Sequence, residues 1–404
     1  MQEKERFRHV EVQFPLVLVK TRRGIGLMDR VAKFKATQYL GSFYLYIMPV
    51  ITAIMFYIGI TAIYRYVHTP SAVSFVRSLG PAVNILLPGL NPILPIFYGW
   101  IALFFAMIVH EASHGIMARR AGLTVKDSGL LFFLVVPVGA FVELDEEQLK
   151  KERPSIAGRI LAAGVGSNLA SALIFLFLLI LVVSTFAPVS QYNGVGIAQV
   201  NESAPAGLAG LHPGELIVSV NGTSISNLLQ LQSFLEGTKP GEMLVMQVAD
   251  GSSLSKVNIT LASNPLNSSI GYIGIGAVDS PTQILHSYLG AWRYNPTAYI
   301  PPPTLFGSYI PFSSTMEIFY TSPLGSAATI LANLFYWLWF INFNLALFNA
   351  LPIYPFDGGL AFRHMLRAAK NATWDDKSVK LLTNAVTIAV VIFVVTMVLL
   401  PYVL

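Results

Sequence analysis

The stretch FFAMIVHEASHGIMARR, residues 104–120, decides the fold. It opens on an uncharged apolar run, carries HEASH at its centre and closes on Arg119 and Arg120. His110 and His114 are four residues apart, which on a helix is an angular offset of about 40° and a rise of about 6 Å. Both imidazoles can therefore reach one ion. Glu111 follows the first histidine and is placed to approach water held on that ion rather than to ligate it. At 1.5 Å per residue, His110 lies roughly 13 Å inward from Arg119. Ionisable groups that deep in an apolar helix are costly unless paired, metal-bound or open to a water-filled cavity. Zinc answers that cost and supplies a chemistry: it polarises a carbonyl and lowers the pKa of water, while a carboxylate takes the proton. The competing reading is a polar cluster that ties helices together.

Working outward, the 404 residues are 54% hydrophobic and 12% charged, against roughly 25% charged in soluble domains, and the mean hydropathy is +0.60. Uncharged tracts at 36–64, 78–109, 160–201, 318–356 and 381–404 each exceed the roughly 20 residues that cross hydrocarbon as a helix. The fold class expected is a polytopic α-helical membrane protein with five crossings. A shorter apolar tract, SGLLFFLVVPVGAFV at 128–142, contains Pro137 and Gly139; it fits a re-entrant or interfacial β-hairpin better than a span. An exposed edge strand there would hold a substrate extended beside the metal. A packing loop is the alternative.

Of the 26 Lys and Arg residues, 21 fall in 1–35, 119–159 and 352–380. Basic residues concentrate in short cytoplasmic loops, so the N-terminus and 119–159 are expected in the cytoplasm and 189–322 outside. The net charge of +5 reflects those flanks, and without a basic and aromatic surface no nucleic-acid partner is expected. The absence of cysteine excludes disulfides and thiol catalysis. The first tract lacks a small-residue cleavage pattern and reads as a retained anchor.

Between the third and fourth tracts the chain changes to Gly, Pro, Ser and Asn. Residues 194–262 alternate short apolar strands with turns: GVGIAQV, ELIVSVNG, the helical ISNLLQLQSFLEG, EMLVMQVAD and SKVNITLA. Asn221-Gly222 is a hairpin-type turn. This order, with SAPAGLAGLHPGELIVSVNGTSI at 203–225, resembles a PDZ domain. The resemblance implies capture of an extended peptide by β-augmentation, with GVGI at 194–197 as the carboxylate-binding loop. Turn geometry without a ligand is the plainer reading. The following 266–322, rich in proline, is expected to be an ordered external loop or an amphiphilic cover. The domains expected are a cytoplasmic segment 1–35, a membrane core at 36–188 and 323–404, the PDZ-like domain at 189–265 and the loop region 266–322.

A catalytic zinc site needs a third protein ligand and an open position. Asp357, in NALPIYPFDGG, follows a long apolar tract and is expected near the cytoplasmic half of the membrane, the same half as His110, with Pro352 and Pro355 before it and Gly358 and Gly359 after it to turn the chain. An Asp that merely ends a helix is the alternative. Glu143, Asp145, Glu146 and Glu147 are other third-ligand candidates, which a solvated face also explains; His364 sits among Arg363 and Arg367 on an interfacial pattern. Asn168 lies near the start of the next tract, where its amide would donate to a developing oxyanion or a substrate backbone, or simply pack between helices. Asn344 and Asn349 are weaker candidates for the same work.

HEASH, GVGSN at 164–168 and NLALFNALPIYPFDGG at 344–359, together with the PDZ-like insert, resemble the site-2 protease family of intramembrane zinc metalloproteases. The resemblance covers His110 to Gly359. It implies that His110, His114 and Asp357 hold Zn²⁺ and that Glu111 is the general base. Val165 stands where the family's GPxxN pattern has proline, and Tyr354 and Phe356 make the Asp motif bulkier. The function implied is hydrolysis of peptide bonds in or near substrate transmembrane segments, in regulated intramembrane proteolysis. Its partners are the bilayer, transmembrane protein substrates trimmed first by another protease, and a peptide ligand of the PDZ-like domain. Rival readings are a membrane metal transporter and a noncatalytic adaptor.

Overall fold

The structure, a computed structural model, describes residues 10–21, 23–133, 136–305, 309–369 and 375–404. The start of the expected segment 1–35, the turn of the 128–142 hairpin and a short part of the 266–322 loop lie outside the described residues. Two compact units emerge, Met1–Leu176 with Tyr336–Leu404, and Phe177–Phe335.

The first unit begins with β1 (Val10–Gln13), β2 (Leu16–Thr21) and α1 (Arg23–Ala32). Among the described residues five helices are long and apolar enough to cross a membrane: α2 (Lys35–His68), α3 (Ile96–Arg120), α4 (Pro154–Val183), α7 (Ala327–Ala350) and α9 (Asp376–Val403). The chain is a multi-pass membrane protein. The spans start and stop at different residues from the uncharged tracts, and prolines account for the largest difference. Pro81, Pro88, Pro92 and Pro95 remove backbone donors from the tract that begins at 78, so α3 starts only at Ile96.

The end of α3 is fixed by its sequence. Gly122 adopts φ +83°, and the N–H groups of Gly122 and Leu123 donate to the carbonyls of Arg119 and Ala118 at 3.1 and 2.9 Å. This closure satisfies carbonyls the helix would otherwise leave open. Leu123 then packs with Ala118, Val125 and Ile160 in one buried cluster.

From there the chain enters β3 (Val125–Phe133) and β4 (Val136–Leu144). The 128–142 tract is thus a hairpin, but one embedded in a four-stranded antiparallel sheet of order β1-β2-β3-β4. β2 covers the outer edge of β3, with Leu16 opposite Phe133 and Thr21 opposite Ser128. The segment expected to be merely a cytoplasmic tail therefore contributes two strands. Strand approach is close enough at Gly129 that a Cβ would fall 2.3 Å from the Val19 carbonyl oxygen. One end of the sheet is polar: Lys20 pairs with Glu11 at 2.9 Å, a bond that raises the lysine pKa. At the other end Phe14 is 86% and Phe133 46% exposed. β4 lies along α3, with Gly139 facing Met107 and Gly115 facing Val142.

The second unit is mostly β. β5 (Val195–Val200), β6 (Leu216–Val220), α5 (Leu228–Glu236), β7 (Met243–Asp250), β8 (Ser253–Thr260) and β9 (Ile275–Val278) form an antiparallel sheet of order β8-β7-β6-β5-β9. Its core joins Val195, Ile197, Ile217, Leu231, Leu244 and Val248. Asn221 and Gly222 both take positive φ, 48° and 80°, as the tight hairpin turn requires, and the Asn221 side chain accepts from Val245 N–H at 2.8 Å. Part of the proline-rich stretch expected as a loop is the helix α6 (Pro281–Tyr294), which buries Leu285, Tyr288 and Ala291. Apolar residues at helical spacing behind a proline in the first turn explain it.

Candidate metal centre

The first unit brings His110, His114 and Asp357 together, the one such His/Asp/Glu group among the described residues. His110 and His114 project from the interior of α3. Asp357 opens α8 (Asp357–Ala368), so it begins a helix rather than ending one. Its position is set by a fold-back of the chain after α7. A Cβ at Gly358 would fall 2.3 Å from the carbonyl oxygens of Ala350 and Leu351, and one at Gly359 would fall 2.4 Å from Tyr354 N. Two glycines are what allow this approach. Thr52 Oγ1 donates to the Ala350 carbonyl at 2.8 Å, and Thr387 Oγ1 accepts from Tyr354 N–H at 3.0 Å, pinning the fold-back to α2 and α9.

The ligand atoms form a near-equilateral triangle. His110 Nε2 and His114 Nε2 are 3.2 Å apart, and Asp357 Oδ2 is 3.1 Å from the first and 3.2 Å from the second. Tetrahedral zinc with bonds of about 2.0–2.1 Å has ligand atoms about 3.3–3.4 Å apart, so the triangle is close to one face of that tetrahedron. Asp357 Oδ2 is buried, yet its contacts with the two imidazoles lack hydrogen-bond geometry. The three ligand atoms lie close enough together for one ion to be held by all of them. The donor set fits zinc.

The groups behind the ligands agree. His114 Nδ1 lies 2.7 Å from the Ile160 carbonyl oxygen, to which it can only donate, leaving Nε2 with a free lone pair. His110 Nδ1 lies 3.2 Å from the amide nitrogen of Asn168, while Asn168 Oδ1 is buried without a partner. A half-turn of that amide, whose nitrogen and oxygen are nearly isosteric, lets Oδ1 accept from His110 Nδ1–H and leaves Nε2 with its lone pair for a metal. A ligating histidine commonly donates its other N–H to such a partner. Asn168 is fully buried and sits behind the metal ligand.

Sequence reasoning passed over Gly164. A Cβ on it would fall 2.5 Å from His110 Cε1, 2.5 Å from His114 Nε2 and 2.6 Å from His110 Nε2. The first glycine of GVGSN is the space into which both rings project. Its only sequence signal was the pair of small residues two apart beside Asn168.

Glu111 stands one residue from His110, and its Oε2 accepts from the backbone N–H of Val142 on β4 at 3.0 Å. That N–H is directed at α3 rather than at β3. The remaining candidates lie elsewhere. Asp145 caps a short helix by accepting from Glu147 and Gln148 N–H, Glu146 and Glu147 pair with Lys150, and the Lys150 ammonium holds the Glu147 carboxyl below its ordinary pKa. Glu143 pairs across the sheet with Asp127. His364 lies within α8, outside the ligand group, and the Asn344 amide donates to the Phe340 carbonyl of its own helix at 2.8 Å.

In the second unit, GVGI is enclosed rather than open. β5 is paired on both sides, and a Cβ at Gly194 would fall 2.5 Å from the Ile217 carbonyl oxygen and one at Gly196 2.7 Å from Val278. The strands at the ends of the sheet are β8 and β9.

Five apolar helices around a His-His-Asp group with an adjoining glutamate define a membrane metalloendopeptidase. The chain belongs to Peptidase family M50, whose family model matches residues 98–394, and it carries a PDZ-like insert consistent with site-2 protease architecture. It is 27% identical over 357 residues to the uncharacterized protein MJ0971 of Methanocaldococcus jannaschii, covering 88% of this chain and 79% of that one. It is 25% identical over 318 residues to the "Probable membrane metalloprotease ARASP2, chloroplastic" of Arabidopsis thaliana, covering 65% of this chain and 69% of that one. Among solved structures it matches the PDZ domain of an SdrC-like protein from Listeria monocytogenes at 25% identity, over 22% of this chain and 90% of that chain, with a TM-score of 0.20.

Proposed function

We propose that the protein is a zinc endopeptidase that hydrolyses peptide bonds in or beside the transmembrane segments of its substrates, within regulated intramembrane proteolysis. The observation that carries this reading is the convergence of His110 Nε2, His114 Nε2 and Asp357 Oδ2 inside apolar helices, with Glu111 alongside. His110, His114 and Asp357 hold the zinc, which when bound supplies Lewis-acid polarisation of a peptide carbonyl and of water. Glu111 takes the proton of the attacking water and returns it to the leaving amine. Asn168 orients His110 in this scheme, and contact with a developing oxyanion is its alternative task.

β4 ends the four-stranded sheet and borders α3, so a substrate unwound from its helix can add to it as a further strand. Unwinding matters because a peptide carbonyl inside a helix is already hydrogen-bonded. The exposed Phe14 and Phe133 favour a sheet whose apolar end dips into the bilayer, which makes the hairpin re-entrant. Val142 N–H fixes Glu111 at the same edge. Val142→Pro removes this donor without breaking a bond to β3. Losing one hydrogen bond to a charged group is worth about 1.5–3 kcal/mol, so we expect roughly a tenfold or greater fall in kcat, with zinc content unchanged and Val142→Ala near wild type. Equal loss in both variants would assign the effect to the side chain.

The basic flanks support an orientation with the N-terminus and 119–159 in the cytoplasm and 189–322 outside. There the PDZ-like unit recognises a newly exposed substrate end, or excludes untrimmed substrates, with β8 or β9 as the strand available for augmentation. The test of the activity is cleavage of a transmembrane peptide by the purified protein in lipid. Chelation should abolish cleavage and added zinc restore it. A zinc-loaded protein inactive across a panel of such peptides, or one that moves metal ions across vesicles without cleaving, would overturn the reading.

A further inference from the structure

Three helices begin or end near one another: α2 at Lys35, α3 at Arg120 and α4 at Pro154. Between them lies a cavity of about 320 Å³. Its polar wall is Gln38, Arg120 and Arg159, and its apolar floor is Met117, Ile156 and Ile160. Among the described residues no acidic one lines it.

The three arginines near this boundary are treated differently by the fold. Arg119 is neutralised by Asp29 at 2.6 Å. Arg120 is held by neutral acceptors only, donating to the Ala32 carbonyl at 3.0 Å and to Gln38 Oε1 at 3.2 Å. These bonds orient its guanidinium and leave its charge uncompensated. Arg159 has a buried Nε with no hydrogen-bond partner. A buried, unpaired guanidinium nitrogen is costly, and a second uncompensated cation beside it adds repulsion. One anion that accepts from both removes both costs, and planar guanidinium groups match phosphate oxygens well.

We propose that this cavity binds a phosphate group, and that the group belongs to an anionic phospholipid. Position decides between sources: Ile156 is half-buried at the cavity, where the glycerol and first acyl carbons of a lipid lie against it and a free phosphate does not. The site also lies where each helix meets the end of its apolar run, at the depth of lipid headgroups.

The cavity adjoins the metal centre through Ile160. Its side chain forms part of the floor, and its carbonyl accepts from His114 Nδ1–H at 2.7 Å. A lipid seated there buttresses α4 against α3 at the turn that orients a metal ligand. This inference needs only the membrane location and stands whether or not the chain cleaves peptides.

The test uses the full chain purified in neutral detergent. Thermal unfolding and native mass spectrometry are followed on titration with phosphatidylglycerol, with phosphatidylcholine and with inorganic phosphate. Phosphatidylglycerol should raise the Tm and appear as a retained adduct, whereas phosphatidylcholine and inorganic phosphate should do neither. Arg159→Gln should weaken the phosphatidylglycerol effect roughly tenfold or more in concentration, as loss of a charge-assisted contact predicts, and Arg159→Lys should recover part of it. Zinc content measured in parallel separates loss of the site from misfolding. A Tm shift equal in Arg159→Gln and wild type, or no shift at all, overturns the proposal. Inorganic phosphate matching the lipid overturns its assignment to lipid.

Discussion

Replacing Glu111 with glutamine is expected to lower kcat on a transmembrane peptide by about 10²–10⁴-fold, the range general acid–base catalysis contributes, while zinc content stays at the wild-type level. The separation is clean because of where the carboxylate is held. Its Oε2 accepts from Val142 N–H, and a glutamine Oε1 can accept the same bond at the same distance. The side chain therefore keeps its position and its contact with β4. What it loses is basicity. His110, His114 and Asp357 do not depend on Glu111 for their mutual geometry, since their supports are the Ile160 carbonyl, Asn168 and the Gly358-Gly359 fold-back. Zinc quantified beside single-turnover cleavage checks the prediction. Loss of zinc along with activity would make Glu111 a structural part of the site; retained activity would move the base elsewhere and remove the proton-transfer role altogether.

The sequence carried the metal centre further than it carried the sheet, for a physical reason. HEASH is local: four residues on one helix turn place two imidazoles together whatever the rest of the chain does. Asp357 was legible because two prolines and two glycines around it announce a reversal, and a reversal at the end of an apolar tract returns a carboxylate toward the membrane. The crossings were countable for the same reason, although uncharged tracts overrun the helices wherever prolines intervene. β1 and β2 announce nothing. VEVQ and LVLVKT are short strands whose partner, β3, lies more than a hundred residues away, so pairing is decided by tertiary contact and not by local pattern. GVGI was misread on similar grounds. A glycine pair at a strand start signals close approach of another backbone, and the sequence could not say that the approach comes from β6 within the fold instead of from a peptide. Asn168 shows the limit in another form: its residue type was informative, but its partner could be read only from the packing of α4 on α3.

Gly164 extends that limit to the largest structural effect we expect. Gly164→Ala should cost at least the 10–100-fold in zinc affinity typical of lost support behind a ligand, and cleavage should fall with it. Intrinsic helix propensity argues the opposite way, since alanine in place of a helical glycine is favoured by about 1 kcal/mol. Packing decides. The new methyl falls within 2.6 Å of ring atoms on both histidines. Neither ring can yield cheaply, because His114 is tied to Ile160 and His110 to Asn168, both on the same helix as the intruding methyl. Overpacking of this kind costs about 1–3 kcal/mol, and here the strain falls on the two atoms that must face the metal. Gly166→Ala is the informative comparison. Its methyl would meet the Tyr44 ring at 2.1 and 2.2 Å, an equally severe clash that touches no ligand. Gly166→Ala should therefore lower the Tm while zinc affinity persists, and Gly164→Ala should lose zinc affinity out of proportion to any change in Tm. Parallel behaviour of the two variants would mean that α4 acts on the site only through general packing, and the cradle assigned to Gly164 would be wrong.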